Sequence, residues 1–234
     1  MTVLLEVENL NAWYGASQVL RGVNLSINES EVVVLAGRNG SGRSTLAKAL
    51  MGLVRAEGVA QFRGLSIIGE RPYVIARMGL GYVPEQRDVF PTLSVRENLL
   101  LGMKRGGSRF SIADAEELFP VLQERKAVKA GLLSGGEQQM LALARTLMGD
   151  PSFVIVDEPT EGLAPQIVTQ VAACLKSLQA RGVAILLIEQ RMTIARELAT
   201  RIAVMGHGAI VFDDTPDALA ANERITREWL SVGS

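Results

Sequence analysis

The sequence predicts an α/β protein built on a mostly parallel sheet, and three observations predict it. Val32–Ala36, Phe153–Val156 and Val183–Ile188 are short, unbroken apolar runs, the pattern of strands covered on both faces. Each is followed by a stretch with helical spacing: Ser44–Met51, Pro165–Ala180 and Met192–Leu198. Between about Glu85 and Gly149 no such buried strand is found and only helical spacing remains, so a helical insertion is expected in the α/β core.

Taken in order, Val3–Val7 alternates loosely and reads as a strand, and Val23–Ile27 reads as another after the Tyr14-Gly15 turn. Val32–Ala36 ends in Gly37, and its helix follows. In the insertion, Ser94–Met103, Ile112–Leu122 and Gly136–Met148 have helical spacing, and Gly106-Gly107-Ser108 breaks the first two apart. Pro165 suits the first turn of its helix, where a missing N–H costs nothing. Beyond Arg201, Ile202–Met205 and Ala209–Phe212 read as short strands around the turn Gly206-His207-Gly208, and a polar helical tail closes the chain. His207, the only histidine, reads as a solvated turn residue without a catalytic role.

Composition removes several functions. Among 234 residues, 24 Lys+Arg face 25 Asp+Glu, so there is no large positive field to hold nucleic acid or a polybasic membrane anchor. Hydrophobic residues make up 48%, enough for a core and too many for disorder. Cys174 is the single cysteine, which excludes a disulfide framework within the chain and suits a reducing compartment. No apolar run approaches the roughly 20 residues that cross a bilayer. Nor does a basic stretch with an apolar core open the chain, so a cytosolic protein without a secretory signal is expected. The 23 glycines point to tight turns or loops that approach phosphate.

Gly37-Arg38-Asn39-Gly40-Ser41-Gly42-Arg43-Ser44-Thr45 joins a buried strand to a helix. It meets the phosphate-loop pattern G-x-x-x-x-G-K-[ST] everywhere except the lysine, which is Arg43. Glycines let successive N–H groups point into one concavity, and the helix N-terminus adds about half a positive charge. Ser44 is placed to ligate Mg²⁺ and Thr45 to donate to a phosphate. Read alone, the segment is also an ordinary glycine-rich turn.

Phe153-Val154-Ile155-Val156-Asp157-Glu158 is four apolar residues followed by two acids. The strand would bring Asp157 to the loop, where it can hold Mg²⁺ through water. Glu158 can then polarise a water that attacks the terminal phosphate. By themselves two acids after a strand are also a helix cap with a dipole neighbour. Leu133-Ser134-Gly135-Gly136-Glu137-Gln138-Gln139 offers a second bare helix N-terminus suited to a phosphate. Ser134 and Glu137 also have capping-box spacing.

The three segments in this order resemble the ATP-binding subunits of ABC transporters over essentially the whole chain. The resemblance implies a phosphate-loop NTPase with a RecA-like, mostly parallel sheet core, an antiparallel β edge and a helical signature subdomain. The core would take 1–84 and 150–234, and the subdomain 85–149. It implies ATP and Mg²⁺ as ligands, with the phosphate loop and Ser134, Gly135 and Gly136 binding nucleotide. The Ser134 loop would face the nucleotide of an opposing subunit. Tyr14 matches the aromatic that stacks on adenine, and Gly81–Pro91 matches the loop that links nucleotide to the membrane subunits. Ser44, Asp157 and Glu85 are the implied Mg²⁺ positions; Glu158, Gln190 and Arg43 are the implied catalytic ones.

More narrowly, Trp13-Tyr14-Gly15, Gly37-Arg38-Asn39-Gly40, Phe90-Pro91-Thr92-Leu93-Ser94-Val95, Glu161-Gly162-Leu163-Ala164-Pro165 and Glu189-Gln190 resemble one subfamily. It is the second ATP-binding subunit of branched-chain amino-acid importers (LivF-like), with urea or amide importers as near relatives. The implied partners are a second ATPase subunit, related but non-identical or a second copy, and transmembrane permease subunits. An external solute-binding protein would act indirectly, and the chain would lie on the inner face of the cell membrane. Glu85, Ala164 and Gln190 depart from the general family but resemble this subfamily. Arg43 departs from both, so ATP hydrolysis at this chain's own site is expected to be impaired. The alternative is a subunit that binds ATP to dimerise and completes the partner's site without hydrolysing at its own. A repair or translation ATPase is disfavoured, since a second cassette or coiled-coil insertion is lacking.

Overall fold

The computed structural model describes residues 2–104 and 106–230. Two sheets organise it. The first is antiparallel, in the order β2-β1-β4-β5, formed by β1 (Val3–Tyr14), β2 (Ser17–Asn28), β4 (Arg55–Phe62) and β5 (Leu65–Ser66). The second has six strands in the order β10-β9-β3-β8-β7-β6. Its parallel members are β3 (Val32–Ala36), β6 (Leu80–Val83), β7 (Phe153–Asp157), β8 (Ala184–Ile188) and β9 (Arg201–Gly206); β10 (Ala209–Asp214) closes one edge antiparallel to β9.

The apolar runs lie at the centre, as their composition predicts. β3 pairs in parallel with β8 on one side and β9 on the other, and its five residues are all buried. The two-residue period divides them. Val32, Val34 and Ala36 enter a core shared with α6 (Gly135–Leu147), α7 (Pro165–Ala180) and α8 (Met192–Leu198). Val33 and Leu35 face the opposite core, filled by α1 (Arg43–Leu50) and the antiparallel sheet. Residues carried past the ends of β3 and β7 therefore emerge from a layer buried on both faces.

Several elements differ from the sequence reading. The strand expected at Val3–Val7 runs on to Tyr14, because register shifts absorb the polar segment around Asn9, whose φ is +46°. The strand expected at Val23–Ile27 begins at Ser17. β4, β5, α2 (Pro72–Met78) and β6 carry too little apolar pattern to be read: β4 buries only Ala60 and Phe62, and Gly81 interrupts β6. That glycine lets α6 approach, since a methyl there would lie 2.8 Å from Thr146 Cγ2. The single helix expected over Ile112–Leu122 is two, α4 (Ile112–Leu118) and α5 (Pro120–Glu124). Pro120 has no N–H to continue the ladder and drives Phe119 out of helical geometry, to φ −137°.

Between β6 and β7 the described residues hold α3 (Val95–Gly102), α4, α5, a single 3₁₀ turn and α6, with only an isolated bridge between Ser94 and Lys129. After β10 come α9 (Pro216–Ala221), α10 (Glu223–Ile225) and a wide turn at Thr226–Leu230. The rest of the expected tail, residues 231–234, lies outside the described residues. Among the described residues, no helix is long and apolar enough to cross a membrane.

Candidate functional site

The loop after β3 owes its shape to glycines in conformations that other residues resist. Gly37 has φ +150°, and a methyl there would meet the Met205 carbonyl at 2.5 Å. Gly42 caps α1 at φ +110°, and the helix carries no acidic residue in its first turn. The positive end of α1 therefore has no carboxylate of its own helix to offset it. The loop opens into a cavity of about 460 Å³, large enough for a small ligand. Asn39 through Thr45 form one wall, and Glu85, Glu158, Glu161 and Gln190 stand around it.

Strand β7 delivers its acids from a fully buried run. Asp157 is only 1% exposed, and its Oδ1 accepts a hydrogen bond from Ser44 Oγ at 3.1 Å. Burial pushes its carboxyl up to about 6, against the Ser44 hydrogen bond, and the charges of Glu158 and Glu85 push the same way. Tyr82, whose hydroxyl points to Asp157 Oδ2 at 3.4 Å, is raised far above the usual phenol range by burial and by that carboxylate.

Glu158 follows in a left-handed conformation, φ +45°, which costs a non-glycine residue about 1 kcal/mol or more. Its N–H donates to the Ile188 carbonyl at 2.9 Å, locking the turn to the end of β8. The carboxylate is held from two sides. Arg43 Nη2 donates to Oε1 at 2.8 Å, with the two side chains 4% and 10% exposed. Gln190 Nε2 donates to both oxygens at 2.9 Å and to Asn39 Oδ1 at 2.5 Å. Arg43 also reaches Asn39 Oδ1 at 3.3 Å, while its Nη1 is buried without a partner. The structure thus closes Arg43, Asn39, Glu158 and Gln190 into one network across the cavity mouth.

Other expected residues lie elsewhere. Tyr14, at the end of β1, is 46% exposed and does not line the cavity. Gly37, the first residue of the loop, does not line the cavity either. Ser134, Gly135 and Gly136 open α6 outside the cavity. Ser134 Oγ accepts from Glu137 N, and Glu137 returns a carboxylate to Ser134 N at 2.7 Å, so the capping box seen in the sequence is formed. The Arg87 guanidinium lies against Gly135, and Ile167 against Gly136.

Four contributors escaped the sequence reading as site residues. Val19 and Glu161 line the cavity. The carboxyl of Glu161 is raised by a hydrogen bond to Glu158 and by its charge. Thr160 and Glu189 are buried behind the site. Thr160 Oγ1 donates to Glu189 Oε2 at 2.6 Å, and Glu189 Oε1 accepts from the N–H groups of Gln190 and Arg191. Glu189 therefore holds the backbone that presents Gln190. An acid between Ile188 and Gln190 carries no local signal of that role.

The oxygen donors around Ser44 and Asp157 are of the hard type that Mg²⁺ takes. Among the described residues no group of three or more His, Cys, Asp or Glu side chains is placed to hold a metal unaided. A cation here would draw further oxygens from a phosphate-bearing ligand, as Mg²⁺ commonly does.

Comparison with known proteins gives the following likenesses. Residues 20–161 match the family described as ABC transporter. The chain is 38% identical over 231 residues to the high-affinity branched-chain amino acid transport ATP-binding protein BraG of Pseudomonas aeruginosa, covering 97% of this chain and 99% of that one. It is 34% identical to the glutamate/aspartate import ATP-binding protein GltL of Escherichia coli (strain K12), over 92% of each chain. Among solved structures, a nucleotide-free ATP-binding cassette from an ABC transporter superposes with a TM-score of 0.85 at 26% identity, over all of both chains. The ADP conformation of MJ1267, an ATP-binding cassette of an ABC transporter, superposes at 0.79 with 26% identity, over 94% of each.

Proposed function

We propose, since this chain belongs to the ABC transporter family, that it is the ATP-binding and hydrolysing subunit that energises an importer of branched-chain or other hydrophobic amino acids. The observation that carries this reading is the glycine-built cradle at Gly37–Thr45, joined to the β7 acid through the Ser44–Asp157 hydrogen bond. Bare amides and the α1 N-terminus would take the triphosphate, Thr45 would donate to a phosphate oxygen, and Tyr14 would stack on adenine. Mg²⁺ would be held by Ser44, Asp157 and Glu85 and would supply neutralising charge to the phosphates. Glu158 would polarise the attacking water, with Gln190 holding its carboxylate in place.

The chain would pair with a second ATPase subunit. Its Ser134-Gly135-Gly136 loop, which lies outside its own cavity, would close over the partner's nucleotide. Permease subunits would dock on it at the cytoplasmic face of the membrane, with a solute-binding protein acting on them from outside. ATP binding preferentially to the closed pair would drive the cycle.

Arg43 would slow hydrolysis at the chain's own site. Its guanidinium fork reaches the Glu158 carboxylate, which a base needs free, and ties up the charge a phosphate would use. Turnover of the assembled complex carrying Arg43→Lys should rise on the order of 10²-fold above the parent. Equal rates would defeat this reading.

The same ion pair favours a second reading, in which the chain binds ATP to dimerise and completes only the partner's site. Glu158→Gln separates the two. A slow but working site loses its residual turnover, whereas an idle one leaves the rate of the complex unchanged.

A further inference from the structure

Behind the phosphate loop lies a second layer of support, built from the turn between β9 and β10. Gly208 N–H donates to the Ser41 carbonyl at 2.9 Å, and the Gly208 carbonyl accepts from Arg21 N–H at 2.8 Å. The Met205 carbonyl faces the bare Cα of Gly37, and Met205 Sδ packs beside Gly42. Residues 205–208 thus touch the loop at its start, middle and end, and these contacts limit how far its amides can splay.

That turn is itself held from outside. The Trp229 ring packs against Gly206, where a methyl group would overlap the indole. His207 meets the same ring edge-on, with centroids 5.1 Å apart and planes at 80°. Ile225 is buried and anchors the preceding helix, while Trp229 and Leu230 pack against the core. Between Trp229 and Arg38–Ser41 a separate cavity of about 350 Å³ remains. The ring borders the back of the loop without touching the nucleotide face. Any change in the amides of 38–41 alters the space beside it.

We propose that Trp229 is a positioning residue of the nucleotide site. Through Gly206, His207 and Gly208 it holds the phosphate loop in its concave form, so the C-terminal segment sets nucleotide affinity. Aromatic contact on a glycine suits this task, because the flat ring adds a large contact area with few rotatable bonds. A cradle displaced by even about 1 Å forfeits much of its pre-organisation. The inference rests on the nucleotide-binding reading above.

The test uses the full-length chain with Trp13→Phe, which leaves Trp229 as the only tryptophan of the two. Titration with Mg-ATP is followed by tryptophan emission and by calorimetry. Emission should change with the same Kd that calorimetry gives. Trp229→Ala and Gly206→Ala should each raise that Kd about tenfold, while Trp229→Phe, which keeps a ring on Gly206, should stay within about twofold. Should both alanine variants fold poorly, the emission of Trp229 in the otherwise intact protein decides. Silent emission during a titration that calorimetry registers, or unchanged Kd in folded Trp229→Ala, overturns the inference and leaves the functional reading standing. A parent that takes up no nucleotide overturns that functional reading, and this one with it.

Discussion

Arg43 and Glu158 stand 115 positions apart in the chain and meet at 2.8 Å, nearly buried. Replacing either partner alone strands the other charge in a poorly solvated place, which costs more than the pair contributes. Gln190 and Asn39 share the load, so the network resists opening until a ligand offers the arginine better acceptors. Glycine matters at this scale too. Gly37→Ala would force an alanine to φ +150° with its methyl 2.5 Å from the Met205 carbonyl. We expect a loss of roughly 1–3 kcal/mol in urea unfolding, together with weaker Mg-ATP uptake. A variant as stable as the parent would show that the loop relaxes freely there.

Among the elements, the short helices depend on their caps. Ser111 Oγ accepts from Asp114 N at the start of α4, and Asp114 returns its carboxylate to Ser111 N and Oγ. Those hydrogen bonds, with help from Arg181, hold the Asp114 carboxyl down to about 2. A carboxyl lowered in the folded state adds stability above its ordinary 3.8, and that share is lost as pH falls toward 2. Ser111→Ala should therefore cost about 1 kcal/mol at pH 6, and the difference from the parent should shrink between about pH 4 and pH 2. Urea titrations at the two ends of that range measure it; a constant difference would remove Asp114 from the explanation. Asn98, on α3, does comparable work for a loop. It accepts from Phe90 N, donates to the carbonyls of Phe90 and Ser94, and so ties the segment after Glu85 to the helices.

At the scale of the whole molecule, two cores share one sheet, and β3, β7 and β8 contribute to both. Opening either core disturbs strands that the other needs, so unfolding is expected to be cooperative. Cys174 offers a probe of it. The single thiol is buried in α7, and burial pushes it up to about 12. Alkylation at neutral pH should proceed only through molecules that have opened, at a rate that follows denaturant-dependent unfolding. Fast labelling in the absence of denaturant would reveal local opening of α7 instead. The outer elements are held more lightly, since β4 and β5 form the edge of the antiparallel sheet and bury few side chains.

By itself the sequence determined the buried strands, the helices that follow them, the bare helix start at Gly42 and the capping box at Ser134. Each is encoded by neighbours within a few residues, where periodicity and glycine spacing act directly on the backbone. β4 and β6 were not legible, because an exposed edge and a glycine erase the alternation that marks a strand. Only the tertiary structure decided that Arg43 engages Glu158, that Thr160 donates to Glu189, and that Trp229 seats on Gly206. Those contacts join segments brought together by the packing of the sheets, and no local pattern records which distant side chain will arrive.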